Sequence, residues 1–353
     1  MKRVLVTPLD WGLGHATRCI PVIQQLLGRN HEVMLGGDGG SFELLRKEFP
    51  QLHAISLPGY RPEYPANASM AWKMATQLLK FASVIRREHA MVRQVVRDFG
   101  IDAIVSDNRY GCWSRDATSI LITHQSNVLM PRRFGWLAPA VRYLVHERIR
   151  KFDSCWLPDF PDKRLSGILT DFGSADGRPD MRFIGPISRF RRTENAAVRY
   201  DILAIISGPE PQRTIFENLL VGQLQKSNLR YFVVRGVPGS AAARFSDKMC
   251  DYMVTEELQQ MIAAARIVVC RSGYSSVMDL ATLGKKAIFV PTPGQTEQEY
   301  LASELKRSGI AYSISQKDFD LRLALQESEK YSGFTGFDDS NRLLEQTIAE
   351  MFG

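Results

Sequence analysis

Three short segments of the chain carry residue types and spacings suited to chemistry. The first is Trp11-Gly12-Leu13-Gly14-His15. Glycines at 12 and 14 allow a tight turn and close approach of the backbone to a ligand, and a helix starting there offers unpaired N–H groups to an anion. His15 stands at the tip of that turn, where an imidazole can act as a general base near neutral pH. An isolated histidine is more often structural, and the glycine elbow is what shifts this one towards function. The spacing is not the dinucleotide fingerprint G-x-G-x-x-G, because Thr17 fills the third glycine position, and no acid is clearly placed for a nicotinamide ribose.

The second segment runs Val268-Val269-Cys270-Arg271-Ser272-Gly273-Tyr274-Ser275-Ser276-Val277-Met278-Asp279. An apolar strand ends in Arg-Ser-Gly and a helix follows at once. Backbone N–H groups, hydroxyls and a helix dipole then converge in a way that suits a diphosphate. Asp279, one turn along, is within reach of ribose hydroxyls; the alternative is an ordinary strand–helix turn with serine caps. The third segment is the Pro/Gly loop Pro291-Thr292-Pro293-Gly294 followed by Glu297 and Gln298, a carboxylate and an amide suited to sugar hydroxyls. Asp107, in Val105-Ser106-Asp107-Asn108, is a further base or orienting group at a strand end.

These segments need strands and helices to hold them. Strand-like runs at 3–7, 31–35, 52–57, 103–106 and 119–123 alternate with helical spacing at 15–27 and 41–48. A second alternating series begins at Asp201: strands at 202–206, 231–235, 267–270 and 287–290, helices at 211–224, 256–264 and 275–283. Such alternation predicts an α/β chain with parallel sheets. The polar, arginine-rich stretch 188–200 reads as a linker, giving domains 1–190 and 191–337, with a helix near 338–353 packing back on the first.

At 353 residues, 44% hydrophobic and 24% charged, the chain has the composition of a soluble two-domain protein. Its five cysteines are scattered without C-x-x-C spacing, which predicts a reduced, cytoplasmic setting and no metal site. No apolar run reaches membrane-spanning length. The net charge of +7 is moderate and dispersed, and no nucleic-acid recognition motif is evident. Two basic amphipathic stretches, 70–99 and the segment from Met130 to a helix carrying Val141, Leu144, Val145, Ile149 and Phe152 on one face, either pack on the sheet or rest against the inner face of a membrane.

Together the three segments resemble the GT-B glycosyltransferases, specifically glycosyltransferase family 28, with the closer match over 258–305 and a weaker echo in Gly12-Leu13-Gly14-His15-Ala16-Thr17-Arg18. That resemblance implies two Rossmann-like domains facing across a cleft and a nucleotide sugar, UDP-linked, as co-substrate. It puts Val254, Thr255 and Leu258 at the base, Ser272, Gly273, Ser275 and Ser276 with Arg271 at the diphosphate, Asp279 at the ribose, and Glu297 and Gln298 at the sugar. Ser207 and Gly208 would lie beside the phosphates, and Gly12 and Gly14 would line the donor site from the first domain. Asp279 stands where the family carries Glu, Glu297 where the peptidoglycan enzyme carries Gln, and Leu301 where it has Asn, so sugar and acceptor stay open. The expected activity is an inverting, metal-independent transfer of a hexose or N-acetylhexosamine, with a lipid-linked or cell-envelope acceptor among the options. A nucleotide-sugar hydrolase or epimerase, sharing the string Gly12, Gly14, His15 and Arg18, is the nearest rival, and a non-catalytic sensor is the more distant one.

Overall fold

The computed structural model describes residues 1–61, 77–130, 132–172, 179–192, 197–237, 246–337 and 341–353. The chain divides into two compact units, Met1–Arg189 with Asn341–Gly353, and Phe190–Ser340.

The first unit is built on a parallel sheet. Its strands are β1 (Arg3–Pro8), β2 (Glu32–Gly37), β3 (His53–Ser56), β4 (Ala103–Asp107), β5 (Thr118–Ile122), β6 (Ser154–Leu157) and β7 (Asp180–Phe183), in the order β3-β2-β1-β4-β5-β6-β7. Helices α1 (Leu13–Gly28), α2 (Gly39–Glu48), α3 (Leu78–Phe99) and α4 (Ala138–Ile149) connect them. β1 and β4 are apolar at Val4-Leu5-Val6 and Ala103-Ile104-Val105 and are buried throughout, Arg3 apart, because a parallel sheet covered by helices on both faces has no wet side. Val4 and Val6 pack with Ile20 and Ile23 of α1 on one face, while Leu5 and Ile104 pack with Val92 and Val96 of α3 on the other.

The second unit repeats the plan. Its strands β8 (Tyr200–Ile205), β9 (Tyr231–Val234), β10 (Met249–Cys250), β11 (Ala265–Cys270), β12 (Ala287–Phe289) and β13 (Tyr312–Ser313) lie parallel in the order β10-β9-β8-β11-β12-β13. Helices α5 (Gln212–Leu224), α6 (Thr255–Ala263), α7 (Tyr274–Thr282), α8 (Thr296–Arg307) and α9 (Leu321–Ser328) join them.

In both sheets the strand order reverses at one point, between β1 and β4 in the first and between β8 and β11 in the second. At such a point successive connections leave in opposite directions and open a crevice at the carboxyl ends of the strands. The glycine turn follows β1, Asp107 ends β4, Ser207 and Gly208 follow β8, and Arg271 follows β11. Both switch points are therefore occupied by residues singled out from sequence.

Several expectations are corrected. Strands β6, β7, β10 and β13 and helix α9 lie outside the elements read from the sequence, and β10 and β13 are only two residues long. Of the α4 face that the sequence leaves between sheet and membrane, Ile149 and Phe152 are buried and Val145 packs beside them, whereas Leu144 is 57% exposed. Within the expected stretch 70–99, residues 70–76 lie outside the described ones, as does Pro131 in the other basic segment.

The final helix, α10 (Arg342–Phe352), inserts Leu344, Ile348 and Phe352 into the first unit's core. The Trp156 indole of β6 donates to Met351 Sδ at 3.3 Å. Leu344 is fully buried, so Leu344→Ala should cost about 2–5 kcal/mol through lost transfer energy and the cavity left behind. Urea titration checks this; a cost below about 1 kcal/mol would mean that α10 is dispensable to that core.

Candidate functional site

At the first switch point, Gly12 has φ of 124°, a conformation that suits a residue without a β-carbon. It lets the chain leave β1 and enter α1 at once, placing Gly14 and His15 in the first turn of the helix. Ser41 of α2 donates its hydroxyl to the Gly12 carbonyl at 3.0 Å and steadies the turn. His15 Nδ1 lies 3.2 Å from Asp107 Oδ2, which joins two groups that are 92 residues apart in sequence.

The histidine–carboxylate pair has two further members. Arg18, one turn along α1 and 2% exposed, donates from Nη2 to Asp107 Oδ1 at 2.8 Å and from Nε to Oδ2 at 3.3 Å. Arg18 Nη1 reaches Nδ1 of His124, which follows β5, at 2.8 Å. Burial alone would raise the Asp107 pKa, but the Arg18 charge, with the neighbouring His15, outweighs it and holds the carboxyl below the ordinary aspartate value. Asp107 is therefore an anion at neutral pH.

Deeper in the same unit, Arg109 and Glu88 form a fully buried ion pair at 2.6 Å. Arg109 also donates to the carbonyls of Pro8 and Pro58. Glu88 accepts from the Tyr60 hydroxyl and the Gly111 amide. This pair ties the residues that end or follow β1 and β3 to the loop after β4.

At the second switch point the central group is Arg271, 1% exposed. Its Nη1 donates to the Val290 and Pro291 carbonyls, and its Nη2 donates to the Gln212 carbonyl and to Gln316 Oε1. The guanidinium lies over the Phe216 ring at 4.3 Å. These acceptors are all neutral, and burial pulls its pKa down to about 10, so it keeps its positive charge at neutral pH. Arg271 Nε and Thr292 Oγ1 are buried without a hydrogen-bond partner. They lie 4.0 and 3.6 Å from where a β-carbon on Gly208 would stand. A buried cation and orphaned polar atoms converging on a bare glycine form a cradle suited to an anion.

The remaining expected residues lie on helices α6, α7 and α8 and in the turns that precede them. Gly273 is the N-cap of α7, and Ser275, Ser276 and Asp279 occupy its half-buried stripe while Tyr274, Val277 and Met278 are buried. Ser275 and Asp279 are four residues apart and share a face. Ser272 is fully buried, and its hydroxyl donates to the Gln298 carbonyl at 2.8 Å, fastening the α7 loop to α8. Gln298 Oε1 accepts the Thr292 amide at 2.9 Å, so this side chain braces the Pro/Gly loop. Glu297 stands in the first turn of α8. Val254, exposed, is the N-cap of α6, with Thr255 and Leu258 in its first turn. These three stand beyond β10, at the sheet edge.

Sequence reasoning missed His124, Thr292 and Gln316 and took Arg18 only as part of a string. His124 had one readable signal: it follows a strand that neighbours β4, at the same carboxyl end.

Residues 220–331 match the model of the glycosyltransferase family 28 C-terminal domain. An uncharacterized glycosyltransferase of Methanosarcina mazei is 24% identical over 335 residues, covering 89% of this chain and 86% of its own length. A Histophilus somni protein named UDP-N-acetylglucosamine–N-acetylmuramyl-(pentapeptide) pyrophosphoryl-undecaprenol N-acetylglucosamine transferase is 25% identical, covering 98% of this chain and 91% of its own. Among solved structures, Acinetobacter baumannii MurG superposes with a TM-score of 0.59 at 13% identity, covering 99% of this chain and all of its own. The glycotransferase of kitacinnamycin gives 0.63 at 16% identity, covering 99% and 98%. The two doubly wound sheets are thus those of the GT-B fold. The chain is a GT-B glycosyltransferase resembling family 28.

Because the folded state holds the Asp107 carboxyl below its ordinary value, its stabilisation is complete above the unfolded-state pKa and is lost as pH falls through the lower, folded one. Asp107→Asn should flatten the stability curve below about pH 5. At neutral pH it should cost about 3–5 kcal/mol by leaving Arg18 buried without its anion. Urea titrations from acid to neutral pH check both, and identical acid sensitivity in variant and wild type would refute the assignment.

Proposed function

We propose that the chain transfers a hexose or N-acetylhexosamine from a UDP-sugar to an acceptor hydroxyl, with inversion at the anomeric carbon and no metal ion. The observation that carries this reading is the His15–Asp107 pair at the carboxyl ends of β1 and β4. With Nδ1–H donated to Asp107, His15 Nε2 takes the acceptor proton. The acceptor oxygen then bonds to the anomeric carbon, and the bond from that carbon to the diphosphate breaks with its electron pair. Asp107 stays ionised and stabilises the imidazolium.

The second unit holds the donor in this reading. Arg271, Ser275, Ser276 and the start of α7 carry the diphosphate, supported by Ser207 and Gly208. The Arg271 charge and the helix dipole stabilise the leaving group, the work a metal ion does elsewhere. Asp279 binds the ribose, Val254, Thr255 and Leu258 border the base, and Glu297 and Gln298 meet the sugar. Gly12 and Gly14 keep the backbone low beside His15. Ser272 serves by fixing loops.

The acceptor in this reading is lipid-linked. Relatives whose name specifies a pyrophosphoryl-undecaprenol acceptor support it. So do the exposed Trp136, Tyr143 and Leu144, at 77%, 61% and 57%, in a segment that also carries Arg142, Arg148 and Lys151, a composition suited to a lipid interface on the inner face of a membrane. Among the described residues no helix is long and apolar enough to cross one.

Thermal melts with a nucleotide panel test the donor site. Saturating UDP-sugar at about 100 times Kd should add about 2.7 kcal/mol of stability, and Asp279→Ala should lose most of that gain. No shift with any nucleotide would sink the donor assignment. His15→Ala should lower kcat by about 10²–10⁴-fold, and unchanged turnover would remove His15 from the mechanism. Release of UDP at full rate without acceptor would make the chain a hydrolase, in which the same histidine serves water.

A further inference from the structure

The cluster at the first switch point contains a conflict that hydrogen-bond chemistry resolves. A guanidinium has five N–H donors and no acceptor, so whatever it bonds must present a lone pair. Arg18 Nη1 meets His124 Nδ1 at 2.8 Å, and Arg18 Nη2 meets His15 Nδ1 at 2.7 Å. Each Nδ1 is therefore unprotonated in this arrangement, and each neutral ring carries its proton on Nε2. At His15 the same atom faces Asp107 Oδ2 at 3.2 Å. One ring nitrogen cannot accept from Arg18 and donate to Asp107 at once, and the shorter contact belongs to Arg18.

We propose that Arg18 is a positioning residue that sets where the proton sits on both histidines. It holds His124 as an Nε2–H donor, and it holds His15 in a resting tautomer that becomes a base only when Nδ1 passes from Arg18 to Asp107. The exchange moves one proton from Nε2 to Nδ1 through solvent and leaves the charge unchanged. Arg18 can release His15 without abandoning its site, because its bonds to Asp107 Oδ1 at 2.8 Å and to His124 remain. His124, with its Nδ1 lone pair engaged and its Nε2 protonated, is a neutral donor and not a competing base. Proton abstraction is thereby confined to His15, and only in the exchanged state. This rests on the reading of His15 as the base.

Long-range ¹H–¹⁵N correlation spectra of imidazole-labelled full-length protein at neutral pH test the proposal, with His15→Gln and His124→Gln supplying assignments. The expected wild-type result is unprotonated Nδ1 and protonated Nε2 at both rings. In Arg18→Lys a single ammonium cannot reach both rings and the carboxylate together, so His15 should move to the Nδ1–H form against Asp107. A protonated Nδ1 at either ring in the wild type overturns the proposal, as does an unchanged His15 tautomer in Arg18→Lys. Should that variant not fold, the wild-type spectrum alone decides. The two readings fail separately: a fully active His15→Ala enzyme removes the base and leaves the tautomers standing, whereas a protonated Nδ1 on His124 removes the role of Arg18 and leaves the base.

Discussion

A buried charge must be answered by something, and the carboxyl ends of both sheets are organised around arginines that water does not reach. Taking a guanidinium out of water costs several kcal/mol, which only close, well-aimed partners recover. Arg18 is answered by Asp107 and Arg109 by Glu88. In each case the demand for partners dictates which strand end meets which helix. Arg271 is answered by carbonyls and an amide, with its charge left for something else to balance. The contrast separates an ion pair that is complete within the protein from a cation whose site is complete only with an anion in place.

The bracing follows from these arginines. Gln298 and Ser272 use their polar atoms to lock loops, while Ser275, Ser276 and Asp279 stay half-buried on one stripe of α7. Phe216 lies against the flat face of Arg271 and replaces water there with a surface that favours a cation. Little in these shells is independent. A change at Gln316 would loosen Arg271, and one at Glu88 would loosen the loop after Asp107.

Much of this was legible in the chain. Unbroken apolar runs such as Val4-Leu5-Val6 and Val268-Val269-Cys270 announce strands covered on both faces, and polar or glycine residues just after them mark carboxyl ends. That logic located Asp107, Arg271 and the Gly12 turn. It did not reach His124, because Thr123-His124-Gln125-Ser126 has no periodicity and its partner Arg18 is 106 residues away in sequence. Thr292 was hidden in a Pro/Gly loop, where only the fold brings it towards Gly208. Met249–Cys250 and Tyr312–Ser313 form strands two residues long, below any pattern's reach. Leu144 shares the helical period of Ile149 and Phe152, yet it is exposed while they are buried, a difference that periodicity does not carry.

The path of the chain has a consequence for synthesis. The first unit takes Leu344, Ile348 and Phe352 into its core from a segment made after the whole second unit. Domains ordinarily fold in the order they leave the ribosome. Here residues 190–340 are available as a complete set while the earlier unit still lacks one wall of its interior. The unit made first must wait with part of its apolar surface open, and it is the one that needs protection from aggregation in the meantime.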